Sequence, residues 1–191
     1  VYQQLPEAVL FPQDEEQISQ ILKLANQEKF NVVPRGSGTG LSGGSIPVEN
    51  SVVIVMTRWN KILEVDPDNL TAWVQPGVVT GALQKEVEKI GLFYPPDPGS
   101  LNVCTIGGNV ANNAGGLRGL KYGVTKNYVL GVEMILPNGE LLKTGGKNMK
   151  DVAGYNLRDF IVGSEGTLGI ITKVLLKLIP KPTQSITLLI F

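Results

Sequence analysis

After Val32 and Val33 the chain passes through Pro34 and then nearly loses its side chains: Arg35-Gly36-Ser37-Gly38-Thr39-Gly40-Leu41-Ser42-Gly43-Gly44-Ser45. Glycine tolerates positive φ and leaves backbone N–H groups uncovered, so such a loop can wrap a ligand closely. Consecutive exposed N–H groups form a concavity for anions, most often phosphate. Ser37, Thr39, Ser42 and Ser45 add hydroxyls among the glycines. Five glycines within residues 36–44 exceed the need of a simple turn. The stretch reads as a diphosphate cradle.

Three familiar motifs fail on their surroundings. Gly38-Thr39-Gly40-Leu41-Ser42-Gly43 has the G-x-G-x-x-G spacing, but that dinucleotide fingerprint needs a helix opening at once and an acid closing the next strand. Gly44, Pro47 and Asn50 follow instead, and the apolar strand Ser51–Met56 ends without an acid. A P-loop needs a lysine at its end, and none lies here. Gly40-Leu41-Ser42-Gly43-Gly44 matches a nucleophile elbow, which works through a histidine. The chain has no histidine.

That absence also removes the commonest general base and metal ligand, and no carboxylate cluster suggests a metal in its place. Lys+Arg and Asp+Glu balance at 17 each, so no net field draws the chain to nucleic acid or an anionic membrane. No apolar run approaches the roughly 20 residues that span a bilayer. Glycine is the compositional outlier, at 23 of 191 residues, about 12% where about 7% is usual. The excess falls in a few loops, which points to binding through the backbone. A lone cysteine, Cys104, excludes an internal disulfide framework and reads as a buried thiol.

Along the chain, Asp14 with Gln17 signals a capping box, and Ile18, Ile21, Leu22 and Ala25 give the following helix one apolar face. Strands at Phe30–Pro34 and Ser51–Met56 complete a small α/β lobe with a parallel element. A hairpin is expected across Asp66-Pro67-Asp68-Asn69, and a second across Pro137-Asn138-Gly139. Thr80 is the expected cap of a helix ending near Ile90, where Gly91 supplies a left-handed stop. Gly169–Leu178 reads as a strand ended by Pro180 and Pro182. The fold class is α+β: a small α/β lobe over residues 1–57, and a mostly antiparallel sheet with helices over 58–183. Ile186–Phe191 reads as strand, and residues 184–191 as the start of a further domain of a longer protein.

A second glycine block runs Thr105-Ile106-Gly107-Gly108-Asn109-Val110-Ala111-Asn112-Asn113-Ala114-Gly115-Gly116, preceded by Pro95-Pro96-Asp97-Pro98-Gly99-Ser100. Thr105 can cap a short helix whose bare first turn offers N–H groups to an anion. Tight packing of helix on sheet favours the same small residues, and the block alone does not separate the two readings.

These two blocks, the first loop, and Gly163-Ser164-Glu165-Gly166-Thr167-Leu168-Gly169-Ile170-Ile171-Thr172 occur together and in order. In this the chain resembles the FAD-binding (PCMH-type) domain of the p-cresol methylhydroxylase/vanillyl-alcohol oxidase flavoproteins, and within them the branch of D-lactate dehydrogenases and glycolate oxidase flavin subunits. The resemblance implies two α+β subdomains with FAD extended between them. It implies that Arg35, Gly36, Ser37, Gly38, Thr39, Gly40, Leu41 and Ser42 hold the pyrophosphate. Pro96, Gly99, Ser100, Gly107, Gly108, Asn112, Asn113 and Gly115 would line the ribityl chain and isoalloxazine, and Glu165, Gly169, Ile170 and Ile171 the nucleotide half. Arg35 reads equally as a charge partner of the diphosphate or a solvated arginine, and Tyr122 as a flavin contact or a core tyrosine. Relatives that attach FAD covalently use histidine, so the flavin here is expected to be non-covalent. Catalytic residues are expected outside this stretch, in a substrate-binding cap.

The activity implied is oxidation of a small 2-hydroxy acid by hydride transfer to FAD, with a quinone, cytochrome or iron–sulfur subunit as electron acceptor. The expected location is cytoplasmic, with membrane attachment through partner subunits left open. Two competitors stand beside it: a flavin- or nucleotide-binding module without enzyme activity, and another flavoenzyme on this scaffold, such as an NADPH-dependent cell-wall precursor reductase.

Overall fold

Helix α1 (Glu15–Glu28) follows a three-residue strand, β1 (Ala8–Leu10), and leads into β2 (Asn31–Arg35) and β3 (Ser51–Val55). The computed structural model describes residues 3–148, 150–184, 186 and 188–190. The Asp14 side chain accepts from Gln17 N at 2.8 Å, as a capping residue should. Gln17 Oε1 accepts from Gln13 N (2.9 Å), one residue ahead of the cap. Ile18, Leu22 and Ala25 are buried along one stripe. The strands form a parallel sheet in the order β1-β3-β2. Strand β1 goes beyond the helix and two strands expected; three residues are too few to show a periodicity. Pro34 is accommodated because β2 is an edge strand and its missing N–H breaks no ladder.

The rest of the chain builds β4 (Ile62–Asp66), β5 (Thr71–Val74), α2 (Thr80–Glu88), β6 (Leu92–Phe93), α3 (Ile106–Asn112), α4 (Gly119–Tyr122), β7 (Val129–Ile135), β8 (Leu141–Gly145), α5 (Leu157–Ile161), β9 (Ile170–Lys177) and β10 (Ile179–Pro180). Five of these strands make one antiparallel sheet in the order β4-β5-β9-β7-β8. Both expected hairpins are present, β4–β5 and β7–β8. Thr80 is not a cap: Val79 holds that position without a side-chain bond, and the Thr80 hydroxyl turns inward. Pro180 does not end strand pairing, since Ile179–Pro180 pairs with Leu92–Phe93. The strand expected over residues 186–191 lies partly outside the described residues; Ile186, Leu188, Leu189 and Ile190 are exposed and take no regular structure.

Two apolar clusters hold these elements. The larger packs α2 and α3 on the antiparallel sheet through Leu83, Val87, Ile106, Val110, Val174 and Leu176, all essentially unexposed. The smaller joins the lobes: Ile18 and Leu22 of α1, Ile54 of β3, Met56 and Trp59 meet Ile135 of β7 and Ile170 of β9. Polar contacts reinforce that joint. Ser19 Oγ donates to Gly139 O and Asn26 Nδ2 to Pro137 O, each at 2.6 Å. Helix α1 is thereby fastened to the turn of the β7–β8 hairpin.

Lys147, just beyond β8, bonds Asp66 (2.7 Å) and Glu64 (2.8 Å) on β4, so one side chain links the sheet's two edge strands. The Lys147 bond, with further bonds from the Asn69 side chain and N–H, holds the Asp66 carboxyl well below the usual carboxylate range. A depressed carboxyl stabilises the fold above its unfolded value, about 3.9, and loses that contribution as pH falls toward the folded value. In urea midpoints measured against pH, the gap between wild type and Asp66→Asn should be full above about pH 4 and close in stronger acid. A gap independent of pH would refute the ion pair's role.

Candidate functional site

Strand β2 ends at Arg35, and residues 36–45 cross as a strap over a cavity of about 380 Å³, within the range of roughly 300–1,000 Å³ typical of small-molecule sites. Met56 N donates to Arg35 O (2.9 Å), tying the strap's origin to the exit of β3. The opposite wall is α3 with its preceding residues, and the far end is the turn entering β9. That turn is hung from α3: Gly163 N donates to Val110 O (2.9 Å) and Glu165 N to Ala111 O (2.8 Å). One cavity therefore gathers three glycine-bearing stretches, the first and last of them more than a hundred residues apart in the chain.

Every strap residue singled out from sequence, Arg35 through Ser42, lines the cavity, as do Ser100, Gly107, Gly108, Asn112, Glu165, Gly169, Ile170 and Ile171. The structure does not bring Pro96, Gly99, Asn113 and Gly115 to its wall. Pro96 is buried and its carbonyl accepts from Gln84 Nε2 at 2.8 Å. Gly99 faces open space. Asn113 closes α3 in a left-handed conformation, its Oδ1 accepting from Lys126 N, and Gly115 sits under Val124. Tyr122 is also elsewhere, edge-on to Phe93 at 5.8 Å between ring centres. Sequence reasoning missed Met56, Pro76, Thr105 and Asn109 on the wall. Asn109 carried a usable signal, a polar residue on the same helix face as Ile106 and Val110. Met56 and Pro76 carried none.

The strap is shaped for something other than protein. Among the described residues, no backbone N–H from Gly36 to Ser45 donates to a protein acceptor. A Cβ at Gly36 would run into Thr105 Oγ1. Gly38 has φ +74° with the Arg35 guanidinium against the place where its Cβ would stand, a conformation that costs other residues roughly 1–2 kcal/mol. The Arg35 Nη1 donates to Ser45 O at 3.2 Å, so the arginine is committed to bracing the strap. A wall of uncommitted donors, closed to side chains, fits the acceptor oxygens of a diphosphate.

Comparison with known proteins agrees. Over 188 residues the chain is 54% identical to the glycolate oxidase subunit GlcD of Bacillus subtilis (strain 168), covering 98% of this chain and 40% of that protein. It is 45% identical over 185 residues to the D-lactate dehydrogenase of Anaerostipes hadrus, covering 97% of this chain and 39% of the relative. Among solved structures, an alkyldihydroxyacetonephosphate synthase superposes with a TM-score of 0.80 at 32% identity, over 92% of this chain and 32% of its own. The chain thus spans about 40% of the length of the curated relatives it matches. A family model described as FAD binding domain matches residues 6–145. Since that match contains both the strap and the helix facing it across the cavity, the chain belongs to the FAD-binding domain family.

Proposed function

We propose that this chain is the flavin-binding part of an enzyme that oxidises a small 2-hydroxy acid, glycolate and D-lactate being the leading candidates. The observation that carries this is identity of 54% and 45%, across nearly the whole chain, to proteins named for those two substrates. When bound, FAD supplies the acceptor for the hydride leaving the substrate α-carbon. The residues of this chain bind and orient. Strap amides, with the hydroxyls of Ser37, Thr39, Ser42 and Ser45, would donate to the diphosphate. Ser100, Gly107, Gly108 and Asn112 would border the flavin half, and Glu165, Gly169, Ile170 and Ile171 the nucleotide half. Residues 1–57 and 58–183 form the two subdomains in this reading.

With no histidine in the chain, the flavin is held without a covalent bond. The base that takes the hydroxyl proton belongs to the length that the relatives have beyond this match. A quinone, cytochrome or iron–sulfur subunit is the electron acceptor in this reading, and the location is cytoplasmic or peripheral to a membrane through such a partner. No helix of the described residues is long and apolar enough to cross a membrane.

The test is anaerobic mixing of the FAD-loaded full-length polypeptide with glycolate, D-lactate or NADPH, followed by visible absorbance. Rapid bleaching by a hydroxy acid is expected, and acid precipitation should release all the flavin into the supernatant. Bleaching by NADPH alone would reassign the chain to the reductases on this scaffold, and flavin retained in the acid pellet would contradict non-covalent binding.

A further inference from the structure

Asn109 lies on α3 with only 3% of its surface exposed, yet it forms part of the cavity wall. Its Nδ2 donates to Thr80 Oγ1 at 2.6 Å. Thr80 Oγ1 in turn donates to the Cys104 carbonyl (3.3 Å) and accepts from Cys104 Sγ (3.4 Å). A hydroxyl has one proton and two lone pairs, so Thr80 is saturated. The amide group is planar, and pinning Nδ2 therefore fixes the direction of Oδ1. Among the described residues no donor reaches that oxygen, and it is not among the unpartnered polar atoms sealed from solvent, unlike the Tyr94 hydroxyl. A side chain this buried rarely leaves an acceptor unmet.

We infer that Asn109 Oδ1 is a built acceptor for a sugar-type hydroxyl of bound FAD, and that Thr80, which does not line the cavity, is the residue that positions it. Phosphate oxygens cannot donate, so the diphosphate itself is not the partner. Thr105, the residue that precedes α3, has its hydroxyl against Gly36 of the strap. Asn109 N donates to Thr105 O at 2.9 Å, which puts Asn109 one turn along from the diphosphate's place. The donors flanking a diphosphate in FAD are the hydroxyls of the ribityl chain on one side and of the ribose on the other. This assignment rests on the strap being the diphosphate site.

The test titrates FAD into the full-length wild type, Thr80→Val and Thr80→Ser by flavin fluorescence, repeats the titration with FAD analogues lacking single ribityl or ribose hydroxyls, and measures ADP by its competition with FAD. Thr80→Val should weaken FAD about tenfold, and Thr80→Ser should restore it. One deoxygenated analogue should bind wild type as poorly as FAD binds Thr80→Val, with no further loss when the two changes are combined. A loss confined to FAD places the donor on the ribityl chain, and an equal loss for ADP places it on the ribose; both uphold the inference. Unchanged FAD affinity in Thr80→Val, or losses that add, would overturn it. If Thr80→Val does not fold, wild-type affinity undiminished across all the analogues overturns it equally. Wild type that fails to bind FAD at all defeats the strap assignment, a result distinct from the others.

Discussion

Gly38→Val is expected to abolish FAD binding while leaving the chain folded. At φ +74°, with the Arg35 guanidinium packed where a Cβ would go, a β-branched residue cannot keep the strap's path. The left-handed conformation alone would cost about 1–2 kcal/mol, and the strap has an easier escape. It would shift, pushing the guanidinium away from Ser45 O, the contact that braces it. Because the strap sends no backbone N–H to acceptors among the described residues, little folded structure depends on its path, and the apo melting temperature should move only slightly. The amides would no longer converge, and affinity should fall by at least about a hundredfold, roughly 2.7 kcal/mol. Flavin fluorescence titration beside a thermal melt of the apo protein reads both quantities. Normal binding by the valine variant would show that the strap is not the diphosphate site.

The largest effect on stability is expected from Ile54→Ala. Ile54 sits on the central strand of the parallel sheet, fully buried, in the cluster where α1 meets Ile135 and Ile170 of the other lobe. Removing three buried carbons typically costs about 2–5 kcal/mol, the spread depending on how far the site can collapse. Collapse is restricted here, because strands from two separate sheets line the gap. Against a total of roughly 5–15 kcal/mol, urea denaturation should show a large drop in midpoint. A loss under about 1 kcal/mol would mean that the lobes close over the cavity more easily than a packed joint allows.

The larger architecture was legible because it rests on periodic or chemical signals that need no tertiary context. Asp14, Gln17 and the Ile18–Leu22–Ala25 stripe announce α1, and Pro137-Asn138-Gly139 announces the β7–β8 turn. The strap was legible because so many glycines have few structural uses. What escaped depended on neighbours distant in the chain. Strand β1 exists because Val52, Val53 and Ile54 offer it a partner, not because Ala8-Val9-Leu10 insists on a strand. Thr80 looked like a cap, but Asn109 and Cys104, more than twenty residues away, claim its hydroxyl. Pro96, Gly99, Asn113 and Gly115 share the composition of a binding block, yet none of them lines the cavity. Side-chain identity alone does not distinguish a small residue that approaches a ligand from one that approaches its own backbone.

Met56 and Ile170 belong both to the cluster joining the lobes and to the cavity wall. A cofactor seated there completes the interior of the protein as a buried side chain would. Occupancy and folding then become linked equilibria: ligand at a hundred times its Kd adds about 2.7 kcal/mol to the free energy of unfolding. Damage to the joint would be masked whenever flavin is abundant and exposed when it is scarce, so cofactor supply sets how much sequence change at this seam the protein tolerates.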